Sequence, residues 1–316
     1  RKEFSRPRHD GTEFYRGESD KAREMYRRIS LVAPSDISVL IRGASGTGKE
    51  HIALELHEQS RRRNRPYITL DCGSLPEDLA ASELFGHRKG AFTGAESDKV
   101  GLLQEADGGT LFLDEIGNLS YKSQMLLLRA LQEKCYRPVG STRERGFDIR
   151  LIAATNENLE EAIAGGRFRE DLFHRLNEFT IRVPLLSECP EDILPLARFL
   201  LGHLMKEHHK RVQGFDRLAE AALRRYPWPG NIRELRNALR SALLLTDGDW
   251  ITATSLNLDL TLKQEEVPSL TEEEKERLLL LQTLEQTGNN RSKTAKLLNM
   301  SRTTLYEKLR KYGIIC

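Results

Sequence analysis

The chain reads as an α/β fold followed by two helical units, and three observations predict this. Short apolar runs alternate with helix-spaced segments up to residue 183, the pattern of a parallel sheet flanked by helices. The glycine-rich stretch Gly43-Ala44-Ser45-Gly46-Thr47-Gly48-Lys49-Glu50 lies between a strand-like and a helix-like run. That order is the one a phosphate-binding loop requires. From Pro184 onward the strand pattern stops and only helical spacing remains. The expected boundaries are a linker remnant at 1–13, the α/β part at 14–183, a helical unit at 184–250, a linker at 251–270 and a helix-turn-helix at 271–316.

Composition agrees with a globular protein of two or three domains. The 316 residues are 39% hydrophobic and 30% charged, with a net charge of +2. So small a net charge confines any nucleic-acid contact to a local patch. No apolar run approaches membrane-spanning length and no signal peptide is visible, so a cytoplasmic location without membrane contact is expected. Cys72, Cys135, Cys189 and Cys316 form no C-x-x-C pair and read as reduced thiols, not a zinc site. The chain opens at Arg1 without a methionine, as a fragment with a regulatory domain ahead of it would.

Taken in order, Ser19 to Leu31 has helical spacing through Ala22, Met25, Tyr26 and Ile29. Ile37 to Ile41 is a strand feeding the glycine loop, and His51 to His57 is the helix after it. Glycines let the loop aim its N–H groups at phosphate oxygens. The helix N-terminus adds positive potential, and Lys49 can reach the outer phosphates. Pro66 to Asp71 reads as a second buried strand and Leu79 to Phe85 as a helix. Gly90-Ala91-Phe92-Thr93-Gly94-Ala95 suits either a mobile loop tip or a β-turn with a buried phenylalanine.

Gly109 to Glu115 is an apolar strand ending in Asp114 and Glu115. In phosphate-loop ATPases such an Asp serves magnesium and the next Glu polarises water. Ser123 to Glu133 is a helix with a broad apolar face, and Asp148 to Asn156 is a strand ending in polar side chains. Asn156 could orient water or sense a phosphate. Gly166 to Leu176 packs several arginines onto one helix. Arg169 and Arg175 are candidates to stabilise charge at a neighbouring subunit's nucleotide, with surface salt bridging as the competing reading.

Beyond Pro184, helices are expected from Pro190, over Phe215 to Tyr226, and from Trp228 to Leu245. Arg233 in a first turn opposes the helix dipole unless it faces an anion. Ile251 to Ser269 has few packing signals. A capping box at Thr271 to Glu274 opens the last unit, which ends in two short helices around Asn299 to Ser301. Its final helix carries Arg302, Thr303, Thr304, Tyr306, Lys308 and Arg310 with one acid, Glu307. This is the charge pattern of a helix reading a major groove in double-stranded DNA. A helical oligomerisation module with a solvated basic face is the alternative.

From about Phe14 to Ile315 these motifs together resemble the bacterial enhancer-binding proteins that activate sigma-54 RNA polymerase. The hexapeptide Gly90 to Ala95 is the hallmark loop of that family. The stretches Leu111 to Ile116, Ala153 to Asn156, Phe168 to Leu172 and Trp228 to Leu235 also match, and the C-terminal unit is similar to the Fis-type helix-turn-helix. The resemblance implies an AAA+ P-loop ATPase with a helical lid subdomain, assembling from dimers into a ring, usually a hexamer. It implies ATP and magnesium as ligands, and the sigma-54 holoenzyme and enhancer-like upstream DNA as partners. By position, Lys49 binds phosphate, Asp114 serves Mg2+, Glu115 activates water and Asn156 is the first sensor. Arg169 and Arg175 act across the interface, Arg233 is the second sensor, and Phe92 and Thr93 touch the sigma factor.

Three stretches depart from the family pattern. Ala44 stands where Glu is usual, and Leu186-Ser-Glu-Cys189 replaces Leu-Arg-Glu-Arg. Asp71 stands where an Asn restrains the catalytic Glu. An ionised Asp71 cannot donate to Glu115 and repels it. This keeps open an alternative in which the protein is a DNA-bound regulator that uses ATP only as an assembly ligand.

Overall fold

A computed structural model describes residues 14–258, 291, 304–305 and 308–309. Five parallel strands form the central sheet, in the order Tyr67–Asp71, Thr110–Asp114, Arg150–Thr155, Val39–Arg42, Phe179–Arg182. Their side chains alternate between two cores, as the pleat dictates. Val39, Ile41, Phe112, Ile152 and Ile181 face Ile29, Ile52 and Leu56. Leu40, Leu111, Leu113, Leu151 and Ala153 face Leu84, Leu127, Leu131 and Leu172. Helices therefore cover both faces, which suits a parallel sheet.

The flanking helices start where capping chemistry allows. Ser19 caps Asp20–Val32 by accepting from the N–H of Ala22, and Ser120 caps Tyr121–Glu133 by accepting from Ser123. Such caps satisfy otherwise orphaned donors. The expected second buried strand is an edge strand: in Tyr67–Asp71 only Leu70 is fully buried. It pairs with Thr110–Asp114 on one side, while among the described residues its other edge has no partner strand.

Residues 186–258 form a separate helical core around Pro190–Glu207, Arg217–Arg225 and Asn231–Leu245. Trp228, 1% exposed, anchors it, donating its indole N–H to the Leu223 carbonyl at 2.9 Å. Two expectations need correcting here. The helix expected over Phe215 to Tyr226 begins at Arg217 because Asp216 caps it, and Gly214–Phe215 instead pairs with Trp250–Ile251. Residues 251–258 of the expected linker are packed, with Ile251 and Leu256 buried in this core.

The chain divides at Leu260 into two compact units. In the second, Thr304, Leu305, Lys308 and Leu309 are helical, and Leu305 and Leu309, four residues apart, are both fully buried. Arg302, Thr303, Tyr306 and Arg310 lie outside the described residues.

Candidate nucleotide-binding site

The carboxyl ends of the strands line one edge of the sheet, where ligands of open α/β folds bind. Gly43 follows Val39–Arg42, Asp71 ends the edge strand, Asp114 ends its neighbour in register with Asp71, and Asn156 follows Arg150–Thr155. The glycine loop turns through Gly46 (φ 76°) and Gly48 (φ 90°), left-handed conformations that favour glycine. Gly48 is the N-cap of Lys49–Glu58, so that helix points its free N–H groups into the loop.

Lys49 is buried and donates to the carbonyls of Gly43 at 3.0 Å and Ala44 at 3.1 Å. Thr47 Oγ1 donates to the Ala44 carbonyl at 2.9 Å. Burial holds the Lys49 ammonium below its usual pKa, and Arg233 pushes the same way. The charges of Asp114 and Glu115 oppose that shift, which places both carboxylates within electrostatic reach of the lysine. Cys72, buried beside Asp71, Asp114 and Glu115, has its thiol pushed up to about 12, chiefly by burial. It is a neutral packing residue at physiological pH.

Asp114 Oδ1 accepts the Glu115 N–H at 2.9 Å. Glu115 takes a left-handed backbone (φ 51°) between the strand and a short 3-10 turn. Asn118, which closes that turn, donates its side-chain amide to Glu115 Oε2 at 3.0 Å. Asp71 Oδ1 accepts the Gly73 N–H at 2.9 Å. Asn156 is exposed just beyond its strand.

The helical unit closes onto the loop. Arg233 Nη1 donates to Ser45 Oγ at 2.7 Å, and its backbone N–H to the Gly46 carbonyl at 3.3 Å. Asn231, fully buried with φ 52°, donates to the Ser45 carbonyl at 3.1 Å and accepts the Leu186 N–H at 3.0 Å. Sequence reasoning passed over Asn231 and Asn118. The one signal for Asn231 was its place at the start of a helix whose first turn also carries an unfavourable arginine.

Arg169 and Arg175 are occupied within the chain. The helix expected to carry both begins at Glu170, leaving Arg169 as its N-cap and Arg167 outside it. Arg169 pairs with Asp171 at 2.7 Å and lies over the Tyr121 ring at 5.1 Å. Arg175 pairs with Glu178 at 2.7 Å. Gln124, fully buried, accepts the Arg169 N–H at 2.9 Å and donates to the carbonyls of Leu119 and Arg167.

Gly90 to Ala95 is the tip of a hairpin whose arms pair through His87 and Lys99. The Gly90 N–H closes it on the Ala95 carbonyl at 2.8 Å. Gly90 and Gly94 are left-handed, Thr93 is exposed, and Phe92 is 38% exposed with His87 edge-on to its ring. The alternative of a buried phenylalanine does not hold.

A parallel sheet with a glycine phosphate loop, paired acids at the end of the next strand but one and a helical lid over the loop defines an AAA+ P-loop ATPase. The sequence matches the sigma-54 interaction domain over residues 15–182, the AAA+ ATPase lid domain over 187–273 and the bacterial regulatory protein Fis family over 271–312. The chain therefore belongs to the sigma-54-dependent transcriptional activators, with an AAA+ core and a Fis-type helix-turn-helix. It is 48% identical to the transcriptional regulatory protein ZraR of Klebsiella oxytoca over 301 residues, covering 93% of this chain and 68% of ZraR. It is 42% identical to the response regulator protein PilR of Pseudomonas aeruginosa over 308 residues, covering 94% of this chain and 69% of PilR. Among solved structures, NtrX from Brucella abortus in complex with ADP aligns with a TM-score of 0.73 at 34% identity, covering 95% of this chain and 69% of that one. Such a protein is an ATP-dependent activator that interacts with sigma-54 and binds DNA. No helix among the described residues is long and apolar enough to cross a membrane.

Proposed function

We propose that this chain hydrolyses ATP in an oligomeric ring, up to a hexamer, and that hydrolysis remodels the sigma-54 holoenzyme from closed to open promoter complex. The observation that carries this is the gathering of Lys49, Asp114, Glu115 and Arg233 around one phosphate loop, together with the exposed loop at Phe92 and Thr93. Lys49 exchanges its two carbonyl partners for the outer phosphates. Residues Gly43 to Gly48 supply N–H donors, and Glu50 stands where a hydroxyl often meets the metal. Among the described residues no three His, Cys, Asp or Glu gather as a metal site. The free oxygen of Asp114 and the nucleotide's own phosphates are therefore the natural ligands of Mg2+, a hard cation that binds through few carboxylates. The metal would neutralise charge developing on the phosphates.

Glu115 polarises the attacking water, and Asn156 orients it. Arg169 and Arg175 serve a neighbouring subunit's nucleotide after leaving Asp171 and Glu178. Arg233 reports phosphate occupancy to the lid. The C-terminal unit holds the assembly on upstream DNA, with Arg302 and Thr304 at base edges, Lys308 and Arg310 on phosphates, and Thr303 and Tyr306 beside them.

Steady-state phosphate release and an open-complex assay test this reading together. Lys49→Ala should abolish both activities. Thr93→Ala should keep hydrolysis and lose activation, and normal activation by that variant would remove the loop from the mechanism. Turnover that is lost in Glu115→Gln would exclude ATP as a mere assembly ligand, and no phosphate release by the parent chain would instead favour it.

A further inference from the structure

Asp71 leaves the catalytic carboxylate without the donor that the edge strand would otherwise supply. Its own Oδ1 is engaged by the Gly73 N–H at 2.9 Å, and an ionised acid has no proton to give. The Glu115 carboxylate is nevertheless held, because Asn118 Nδ2 donates to its Oε2 at 3.0 Å. The 3-10 turn Ile116–Asn118 brings this about. The Asn118 backbone N–H bonds to the Glu115 carbonyl at 2.9 Å, which returns the Asn118 side chain over the residue that starts the turn.

Three polar groups converge above Gly73. A Cβ built there would lie 2.2 Å from Glu115 Oε2, 3.1 Å from Asn118 Nδ2 and 3.3 Å from Asp71 Oδ1. The missing side chain at residue 73 is what lets the glutamate and the asparagine meet.

We propose that Asn118 is the positioning residue for Glu115 in this protein, doing from the acidic strand's own turn what the residue at 71 cannot do. With Oε2 held, Oε1 is left to accept the proton of the attacking water. A fixed carboxylate needs less reorganisation to reach its reactive pose. The inference deepens the ATPase reading and rests on Glu115 as the water-activating group.

The test is steady-state ATP hydrolysis by this chain, with separate titration of ATP binding and thermal melting as a check on folding. Asn118→Ala should lower kcat about tenfold with KM for ATP changed less than about twofold, the range seen when a supporting hydrogen bond is removed. Asn118→Asp should be at least as slow, since it loses the donor and adds a like charge. The exchange variant Asp71→Asn with Asn118→Asp should recover most of the lost kcat, because the amide then approaches Glu115 from the other side of Gly73. A merely structural role for Asn118 would not be rescued from residue 71. The inference is overturned if Asn118→Ala keeps its kcat or if the exchange variant recovers nothing. Undiminished turnover in Glu115→Gln would instead overturn the assignment of Glu115 as the water-activating group beneath it.

Discussion

The guanidinium of Arg233 rests on the hydroxyl of Ser45, 2.7 Å away, and this contact joins the helical lid to the phosphate loop. Arg233 is exposed in the first turn of Asn231–Leu245, where a cation opposes the helix dipole. A phosphate arriving at the loop would relieve that conflict by offering a charged partner in place of a hydroxyl. Arg233→Ala should therefore weaken ATP binding about tenfold, a loss near 1.4 kcal/mol, while leaving the melting temperature nearly unchanged. A nucleotide titration beside a thermal melt checks both halves.

Gly46 lies under the same lid. Its φ is 76°, and a Cβ there would come within 2.4 Å of the Gly230 carbonyl oxygen and 3.0 Å of Arg233 Cβ. Gly46→Ala should force the lid away from the loop, cost about 1–3 kcal/mol of stability through its strained backbone, and reduce ATP affinity further than Arg233→Ala does. Gly202 supplies the contrast. It sits inside the helix Pro190–Glu207 with no atom within 4 Å of a built Cβ. Gly202→Ala should raise stability by about 0.5–1 kcal/mol. Chemical denaturation of the two variants should give shifts of opposite sign.

The glycine loop and the acidic strand were legible in the sequence because each is a contiguous string whose neighbours restate its meaning. Gly43 to Lys49 cannot perform its chemistry except between a strand and a helix, and the apolar periodicity on both sides said so. Contacts that join distant parts of the chain were not legible. Asn231 reaches Ser45, and Gln124 fixes Arg169, through buried amides that local pattern does not mark. Asn118 was hidden for a different reason, since its partner is three residues away and only the left-handed backbone of Glu115 turns the two side chains together. Residues 251–258 looked like linker because their apolar residues are sparse, yet Ile251 and Leu256 each fill a site in the lid core.

Arg150 shows how a buried charge can hold a fold. It is fully buried at the start of a central strand. Its Nη1 donates to the Ala33 carbonyl at 2.6 Å and to Leu56 at 3.4 Å, and its Nη2 to Val32 at 3.1 Å. These carbonyls close the C-terminal ends of Asp20–Val32 and Lys49–Glu58, where a cation is favoured. Burial draws its pKa down to about 10, so it stays charged at neutral pH. Arg150→Met would take the arginine's donors from the Ala33 and Leu56 carbonyls, while Val32 keeps the Ser35 N–H and hydroxyl, and should cost about 3 kcal/mol. Arg150→Lys should recover part of that loss, since one ammonium cannot span both helix ends. Urea unfolding of the three proteins ranks them.

His57 adds a pH dependence beside that arginine. The ring is 4% exposed, its Nδ1 lies 2.9 Å from Thr110 Oγ1, and Tyr67 packs against it at 5.0 Å. Burial, helped by repulsion from Arg150, pushes its pKa down to about 4. In the unfolded chain it titrates near its ordinary value of about 6.5. Between those two values the unfolded chain holds a proton that the folded chain refuses, so this residue makes stability rise with pH across that window. Above the window it contributes no slope, and below it the penalty is complete. His57→Gln keeps a polar partner for Thr110 and removes the titration. Unfolding free energies at pH 4.5 and pH 7 should therefore differ less in the variant than in the parent. Equal differences in the two proteins would mean that the ring is protonated within the fold, with its charge accommodated despite Arg150.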